Sequence, residues 1–128
     1  MMIVGDIGNT ETKICLVNSK NKITQRLNLK TKNINTNLLK KSFKKINSTK
    51  AKIKKSLFSS VVPKSFKIIK FYIEKFYSVK CFELKNLQLN HLIKIKVNKK
   101  QVGSDRIANA LGVLNVKKNH IILDFGTA

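Results

Sequence analysis

The sequence predicts an α/β fold in which helices pack on one mixed β-sheet. Two patterns carry this prediction: three short strands follow one another at the start of the chain, and helices alternate with strands after them. The length of 128 residues is typical of one domain. Hydrophobic residues make up 42% of the chain and charged residues 26%, a balance that favours a folded protein with a buried core.

The first three predicted strands form a meander. Residues 2–7 are a short, mainly apolar run with the acidic Asp6 near its end, and Gly8-Asn9-Thr10 directly after them are turn residues. Apolar and polar side chains alternate over residues 12–17, which predicts the second strand. After further turn residues at 18–22, the third strand is predicted over residues 23–29.

Helices and strands alternate through the rest of the chain. Apolar residues at helical spacing predict a helix over residues 36–46 and another that begins at Pro63, and Ser104 is a candidate N-cap for a third. The predicted apolar faces are Leu39, Phe43 and Ile46 in the first helix, Phe66, Ile69, Ile73 and Phe76 in the second, and Ile107, Leu111 and Leu114 in the third. The strands expected here lie at residues 52–62, 79–84, 92–97 and 120–125, the last of them buried.

Lysine dominates the charge of the chain. Of the 27 basic residues, 25 are Lys and 2 are Arg, and against 6 acidic residues they give a net charge of +21. Proteins that read nucleic acid favour Arg interleaved with aromatic residues, whereas Lys here accompanies Asn and Ile. We therefore expect nucleic acid to bind only non-specifically, through charge.

The chain shows no sequence feature of a membrane or secreted protein. No segment has the length of a membrane span, and the N-terminus does not resemble a secretory signal, so we expect no membrane contact and a cytoplasmic location. Cys15 and Cys81 do not form a C-x-x-C pair, and two His complete no zinc-ligand pattern. Both cysteines are expected to be plain thiols in strands.

The first candidate site is the turn after the first strand, Asp6-Ile7-Gly8-Asn9-Thr10. Gly8 allows close backbone approach to a ligand, and the turn amides, with the side chains of Asn9 and Thr10, can donate to phosphate oxygens. Asp6 repels a bare phosphate, so its expected role is to hold Mg²⁺, directly or through water. An ordinary β-turn explains the same residues equally well, and the chain contains no Walker loop.

The second candidate site is a helix start at Gly103-Ser104-Asp105-Arg106. Amides in the first turn of a helix can receive an anion, and the helix dipole favours a negative charge on Asp105. A carboxylate there can accept the proton of a hydroxyl that attacks a phosphoryl group. Arg106 can bind a carboxylate through two parallel hydrogen bonds. A capped helix with an incidental salt bridge is the alternative interpretation.

The third candidate site repeats the pattern of the first. An apolar run at residues 121–123 is followed by Asp124, Gly126 and Thr127. Two such strand-Asp-Gly-Thr turns that face each other would hold a phosphate chain and its cation between them. Each motif alone is weak evidence, but the three in this order are strong evidence of a phosphate site.

Together these motifs resemble those of the type III pantothenate kinases, a family within the superfamily of acetate and sugar kinases, Hsp70 and actin. Asp6 to Thr10 resembles the first phosphate motif of the family, and Ser59-Ser60-Val61-Val62-Pro63 resembles its strand-to-helix junction. Gly103 to Arg106 resembles its Gly-x-Asp-Arg substrate motif, and residues 124–128 resemble the start of its second phosphate motif. The resemblance runs from residue 3 to residue 128 with matching order and spacing.

The resemblance implies a ribonuclease H-like, actin-type ATPase domain that phosphorylates pantothenate with ATP, the first step of coenzyme A synthesis. It implies that Asp105 accepts the proton and that a monovalent cation, potassium or ammonium, binds at Asp124. The implied substrate-binding residues are Gly103, Ser104, Asp105 and Arg106. The residues assigned to ATP and its phosphates are Asp6, Ile7, Gly8, Asn9, Thr10, Glu11, Thr12, Lys13 and Thr127, with Mg²⁺ held through the phosphates at Asp6.

Members of this family are longer, because their fold pairs two duplicated domains with ATP between them. The chain is therefore expected to be the first, N-terminal domain, truncated at the second phosphate motif and inactive without the C-terminal domain. The full-length kinase is expected to form a homodimer. The alternative is a nucleic-acid-binding or transcription-regulating relative without catalysis, an interpretation that the intact Asp6, Asp105, Arg106 and Asp124 argue against.

Overall fold

The computed structural model of the chain describes residues 1–47, 52–98, 101–114 and 117–124. The strands are β1 (Met2–Ile7), β2 (Glu11–Val17), β3 (Ile23–Lys30), β4 (Lys55–Ser60) and β5 (Cys81–Glu83). The helices are α1 (Thr36–Asn47), α2 (Pro63–Tyr77) and α3 (Ser104–Gly112), with short 3-10 turns at Thr31–Asn33 and Leu84–Asn86. Over these ranges the chain has no helix with the length and apolarity needed to cross a membrane.

The five strands form one mixed sheet in the order β3-β2-β1-β4-β5. Strand β2 pairs antiparallel with both β1 and β3, whereas β4 pairs parallel with both β1 and β5. Parallel neighbours need a crossover, and α1 and α2 provide the two crossovers that lead into β4 and β5. The predicted mixed α/β sheet and its opening meander are both confirmed.

Helices α1 and α2 cover one face of the sheet. Leu39, Phe43 and Ile46 are buried on α1, as their helical spacing predicts, and Ile69 and Ile73 are buried on α2. These side chains join one apolar cluster with the strand residues Ile3, Ile7, Ile14, Leu16 and Phe58. This cluster is the main core, and it makes the α1–α2 face of the sheet inaccessible to a ligand.

Helix α2 departs from its predicted apolar face at one position. Phe76 is 49% exposed, and Tyr72 is buried instead. Ile69, Tyr72 and Ile73 complete the stripe that meets the sheet, so Phe76 lies at its edge with its ring 4.7 Å from the Tyr72 ring. The helix begins at Pro63 as predicted, and Ser78 ends it in a left-handed conformation with φ 54°.

The second face of the sheet carries a smaller apolar cluster. Leu84, Leu89 and Ile107 are buried there, and Ile93 and Ile95 pack against them. Because α3 has only 9 residues, it covers part of this face and leaves the part over β1, β2 and β4 open. That open part forms a cleft.

Two predicted strands are absent from the residues that the structure describes. Residues 92–97 form no strand, because their alternating side chains pack on the smaller cluster while their backbone pairs with neither sheet edge. Residues 120–124 form no strand either, and Ile121 and Leu123 are 92% and 74% exposed rather than buried. Phe125, the last residue of that predicted strand, lies outside the described residues. Apolar patterning indicates which side chains avoid water, but a strand forms only where its backbone also pairs with a neighbouring strand.

Gly5 is required by the packing of the central strands. It lies opposite Phe58 in the parallel β1–β4 pair, and a Cβ at this position would overlap the Phe58 ring. We expect Gly5→Ala to lower the free energy of unfolding by about 1–3 kcal/mol, because the buried ring must leave its position. Urea unfolding measures this, with Gly112→Ala as the matched control, since a Cβ there meets nothing within 4 Å. Equal stability of the two variants would contradict the expectation.

Candidate active site

The open part of the α3 face is a cleft of about 840 Å³. Residues in register on neighbouring strands point to the same face, so the floor of the cleft consists of rows of side chains that cross the strands. Lys13, Asp6 and Ser59 form the row nearest the β1–β2 turn. The next row is more apolar and contains Cys15, a free thiol, with Val4 and Leu57.

The rim of the cleft brings together segments that are distant in sequence. The β1–β2 turn contributes Gly8, Asn9, Thr10 and Glu11, and it is closed by a hydrogen bond of 3.0 Å from the Gly8 amide to the Glu11 carbonyl. Helix α3 contributes Asp105, Ala108 and Asn109, whose i, i+3 and i+4 spacing places them on one face. Asp124 completes the rim.

Negative charge is concentrated in this cleft. Asp6, Glu11, Asp105 and Asp124 line it, which is four of the 6 acidic residues of a chain with a net charge of +21. Lys13 is the basic residue among the described lining residues, and its Nζ lies 3.6 Å from Glu11 Oε2. Such a site repels a bare phosphate and attracts cations.

Asp6 lies at the centre of this charge. Partial burial in the cleft raises the pKa of its carboxyl, and the negative charges of Asp105 and Asp124 raise it further. The Ser59 hydroxyl and the Lys13 ammonium oppose the rise in this pKa. The Ser59 hydroxyl is therefore close to Asp6, but its hydrogen bond falls short of standard geometry. A bound cation would relieve this repulsion between carboxylates.

Asp105 is held in a defined orientation at the start of α3. Gly103, not Ser104 as expected, occupies the N-cap position, and the Ser104 hydroxyl is buried without a partner among the described residues. Asp105 Oδ1 instead accepts a hydrogen bond of 2.8 Å from the Arg106 amide. A Cβ on residue 103 would overlap Asp105 Oδ1, so glycine at this position is what permits the carboxylate to fold back.

Asp124 is held by a residue to which the sequence assigned no role. Asn109 Nδ2 donates a hydrogen bond of 2.8 Å to Asp124 Oδ2, across 15 positions of sequence. Asn109 follows Asp105 by one turn of α3, so the sequence indicates that the two residues share a face of that helix. The sequence contains no signal that this face meets residue 124, because the contact is long-range.

The structure brings together some of the predicted site residues and separates others. The predicted residues that line the cleft are Asp6, Gly8, Asn9, Thr10, Glu11, Lys13, Asp105 and Asp124. The side chains of Ile7 and Thr12 are fully buried on the opposite face of the sheet, with the helix layer. Gly103, Ser104 and Arg106 lie beside the cleft without lining it, and Thr127 lies outside the described residues.

The β1–β2 turn has a buried support that the sequence did not indicate. Thr31 follows β3 and is 4% exposed. Its hydroxyl donates a hydrogen bond of 2.8 Å to the Gly8 carbonyl, and its amide donates one of 2.9 Å to the Thr10 carbonyl. A residue directly after the third strand thus holds a turn that lies more than twenty positions earlier in the chain.

The donor set of the cleft suits a hard cation that is shared with a ligand. No group of three or more His, Cys, Asp or Glu side chains in the described part of the chain is arranged to hold a metal ion by itself. Mg²⁺ commonly takes one or two carboxylates and completes its shell with water and substrate phosphates. Asp6, whose pKa is raised by burial and by the neighbouring carboxylates, fits such a shared site.

Comparisons with known proteins agree with the motifs. The sequence model of a family described as type III pantothenate kinase matches residues 2–128. A type III pantothenate kinase of Pelagibacter ubique (strain HTCC1062) is 62% identical over 128 residues, which is 100% of this chain and 52% of that protein. One from Desulforapulum autotrophicum is 34% identical over 137 residues, which is 100% of this chain and 51% of that protein. The chain thus spans about half the length of the curated relatives it matches.

Proposed function

The chain belongs to the type III pantothenate kinase family, and we propose that it supplies the phosphate-transfer site of an enzyme that phosphorylates pantothenate with ATP. One observation carries the proposal. Three segments far apart in sequence place Asp6, Asp105 and Asp124 in one cleft, together with a turn that contains Gly8. Phosphoryl transfer depends mainly on positioning and on charge, and this cleft offers both.

In this proposal the β1–β2 turn binds the phosphates of ATP. The amides of the turn and the side chains of Asn9 and Thr10 donate to phosphate oxygens, and Gly8 lets the backbone come close. Lys13 adds a positive charge on the floor of the cleft. Mg²⁺ bound with ATP supplies the positive charge that reduces the repulsion between the phosphates and the carboxylates of the cleft.

Asp105 is the general base that accepts the proton of the pantothenate primary hydroxyl. The Arg106 amide holds Oδ1 and so fixes the plane of the carboxylate. The second oxygen, Oδ2, accepts the proton as the hydroxyl oxygen attacks the terminal phosphorus of ATP and ADP leaves. Arg106 is assigned the carboxylate of pantothenate, because a guanidinium binds a carboxylate through two parallel hydrogen bonds.

Asp124 is assigned a monovalent cation, potassium or ammonium. The hydrogen bond from Asn109 holds Asp124 Oδ2, which orients the carboxylate in the cleft. We expect turnover in potassium buffer to exceed turnover in sodium buffer, and Asp124→Asn to remove that difference. Homodimerisation of the whole enzyme stays a prediction of the family resemblance, and a cytoplasmic location stays a prediction of the sequence.

The proposal is tested on a joined protein, defined as this chain followed by the part of the Pelagibacter ubique relative that lies beyond the match. We expect the joined protein, given MgATP and pantothenate, to form ADP and phosphopantothenate in equal amounts, measured by mass spectrometry. Omission of pantothenate is the control for simple ATP hydrolysis. ADP formation that is independent of pantothenate, or no product at all, would sink the proposal.

A further inference from the structure

Three of the hydrogen bonds of Thr31 join it to the β1–β2 turn or to Thr12, which lies just after that turn. The Thr31 amide donates to the Thr10 carbonyl at 2.9 Å, and its hydroxyl donates to the Gly8 carbonyl at 2.8 Å. The same hydroxyl lies 2.8 Å from the hydroxyl of Thr12. Thr31 touches the turn from the side of the helix layer and does not line the cleft.

The direction of these hydrogen bonds follows from the number of protons. A threonine hydroxyl has one proton, and a carbonyl oxygen can only accept. Thr31 therefore gives its proton to Gly8, and Thr12 gives its own proton to Thr31. Because Thr12 and Thr31 are 0% and 4% exposed, water does not readily replace either partner.

The hydrogen bonds from Thr12 to Thr31 and from Thr31 to Gly8 set the orientation of the Gly8–Asn9 peptide group. The protein has no cis peptide among its described residues, so the Asn9 amide points opposite to the Gly8 carbonyl. With the carbonyl held toward Thr31 on the buried side, the Asn9 N–H points away from that side. Gly8 and Asn9 line the cleft on the opposite face. The Asn9 N–H, a hydrogen-bond donor, is thus directed into the cleft where the phosphates are proposed to bind, and the Gly8 carbonyl is directed away from it.

The two flanking residues resist a flip of this peptide only weakly, because Gly8 has no Cβ and asparagine tolerates a left-handed φ better than most residues. A flipped peptide would turn the Gly8 carbonyl oxygen toward the phosphates and repel them. We propose that Thr31 is a positioning residue that acts through Gly8 and keeps the β1–β2 turn in its phosphate-binding form. The inference rests on the proposed function, since it takes the turn to bind the phosphates of ATP.

Thr31→Val tests the inference, because it removes the hydroxyl and keeps the shape. In the joined protein we expect KM and Kd for MgATP to rise at least about tenfold, whereas KM for pantothenate stays within about twofold. Thr31→Ser keeps the hydroxyl and should restore MgATP affinity. Thr24→Val is the matched control. The Thr24 hydroxyl also donates to a backbone carbonyl, that of Leu16 at 3.1 Å, at the end of the β2–β3 pair far from the β1–β2 turn.

The outcomes separate the inference from the proposed function. If Thr31→Val leaves Kd for MgATP unchanged, as Thr24→Val should, Thr31 is only structural and the inference is wrong, whatever the change in melting temperature. Kd for MgATP is measured by calorimetry without pantothenate, so it does not depend on turnover. A joined protein that binds MgATP but makes no phosphopantothenate refutes the proposed function, and its Kd still tests the role of Thr31. A joined protein that binds no MgATP overturns both.

Discussion

Asp105→Asn in the joined protein is expected to lower kcat by about a hundredfold to ten-thousandfold, the usual contribution of a general base. Asn keeps the size of the side chain, and its Oδ1 can still accept the hydrogen bond from the Arg106 amide. It cannot take a proton from the attacking hydroxyl. The affinity for MgATP should stay within about twofold or increase, because one negative charge has left an acidic cleft.

The matched control for this prediction is Glu74→Gln. Glu74 lies on α2 outside the cleft, where Oε1 accepts a hydrogen bond of 3.0 Å from the Cys81 amide, and Gln can accept the same bond. We expect its kcat to equal that of the unmodified joined protein. Steady-state kinetics and MgATP calorimetry on both variants decide the point. An Asp105→Asn variant with unchanged kcat would show that another group takes the proton.

Asp6→Asn is expected to weaken the use of MgATP strongly and, at the same time, to stabilise the fold. Asp6 is the carboxylate assigned to Mg²⁺ with the ATP phosphates, so its loss should reduce kcat/KM for MgATP by about a hundredfold or more. The same carboxylate is unfavourable in the fold, because partial burial and the charges of Asp105 and Asp124 raise its pKa. Solvent still reaches it, so we expect a gain in stability of no more than about 1 kcal/mol at neutral pH.

The stability effect of Asp6→Asn has a defined pH dependence. A raised pKa means that the folded state binds the Asp6 proton more tightly than the unfolded state does. As pH rises from the ordinary carboxyl value of 3.8 through the raised value, Asp6 makes the fold progressively less stable. The advantage of the Asn variant should therefore grow across that window and stay constant above it. Thermal melts from about pH 4 to pH 7 measure it, and an advantage that shrinks with rising pH would rule out burial and charge repulsion as its cause.

Elements that depend on local patterning could be predicted from the sequence. Helical spacing identified Leu39, Phe43 and Ile46 as the buried face of α1, and Pro63 identified the start of α2. The apolar runs at 92–97 and 120–125 could not be interpreted in the same way. Their patterns signal contact with apolar side chains, but whether a strand forms depends on a sheet edge that the local sequence does not specify.

The same difference between local patterns and long-range contacts applies to the candidate site. Asp6, Asp105 and Asp124 could be selected from motifs, because each lies at the end of an apolar run or at a helix start, with a glycine within two positions. Asn109 and Thr31 could not, because their roles come from contacts with Asp124 and Gly8 that only the folded chain creates. Thr12 shows the reverse case: the resemblance assigns it to ATP, yet its hydroxyl bonds to Thr31 on the buried side.

MgATP is expected to bind in the cleft where the motifs converge. The most direct measurement is the amide NMR spectrum of the joined protein, with ¹⁵N-glycine only in the segment formed by this chain. On addition of MgATP we predict that the resonances of Gly8 and Gly103, which flank the cleft, shift in a saturable manner. Gly112, at the far end of α3, serves as the internal control and should not move. Shifts at Gly112 alone, or no saturable shift at Gly8, would contradict the claim.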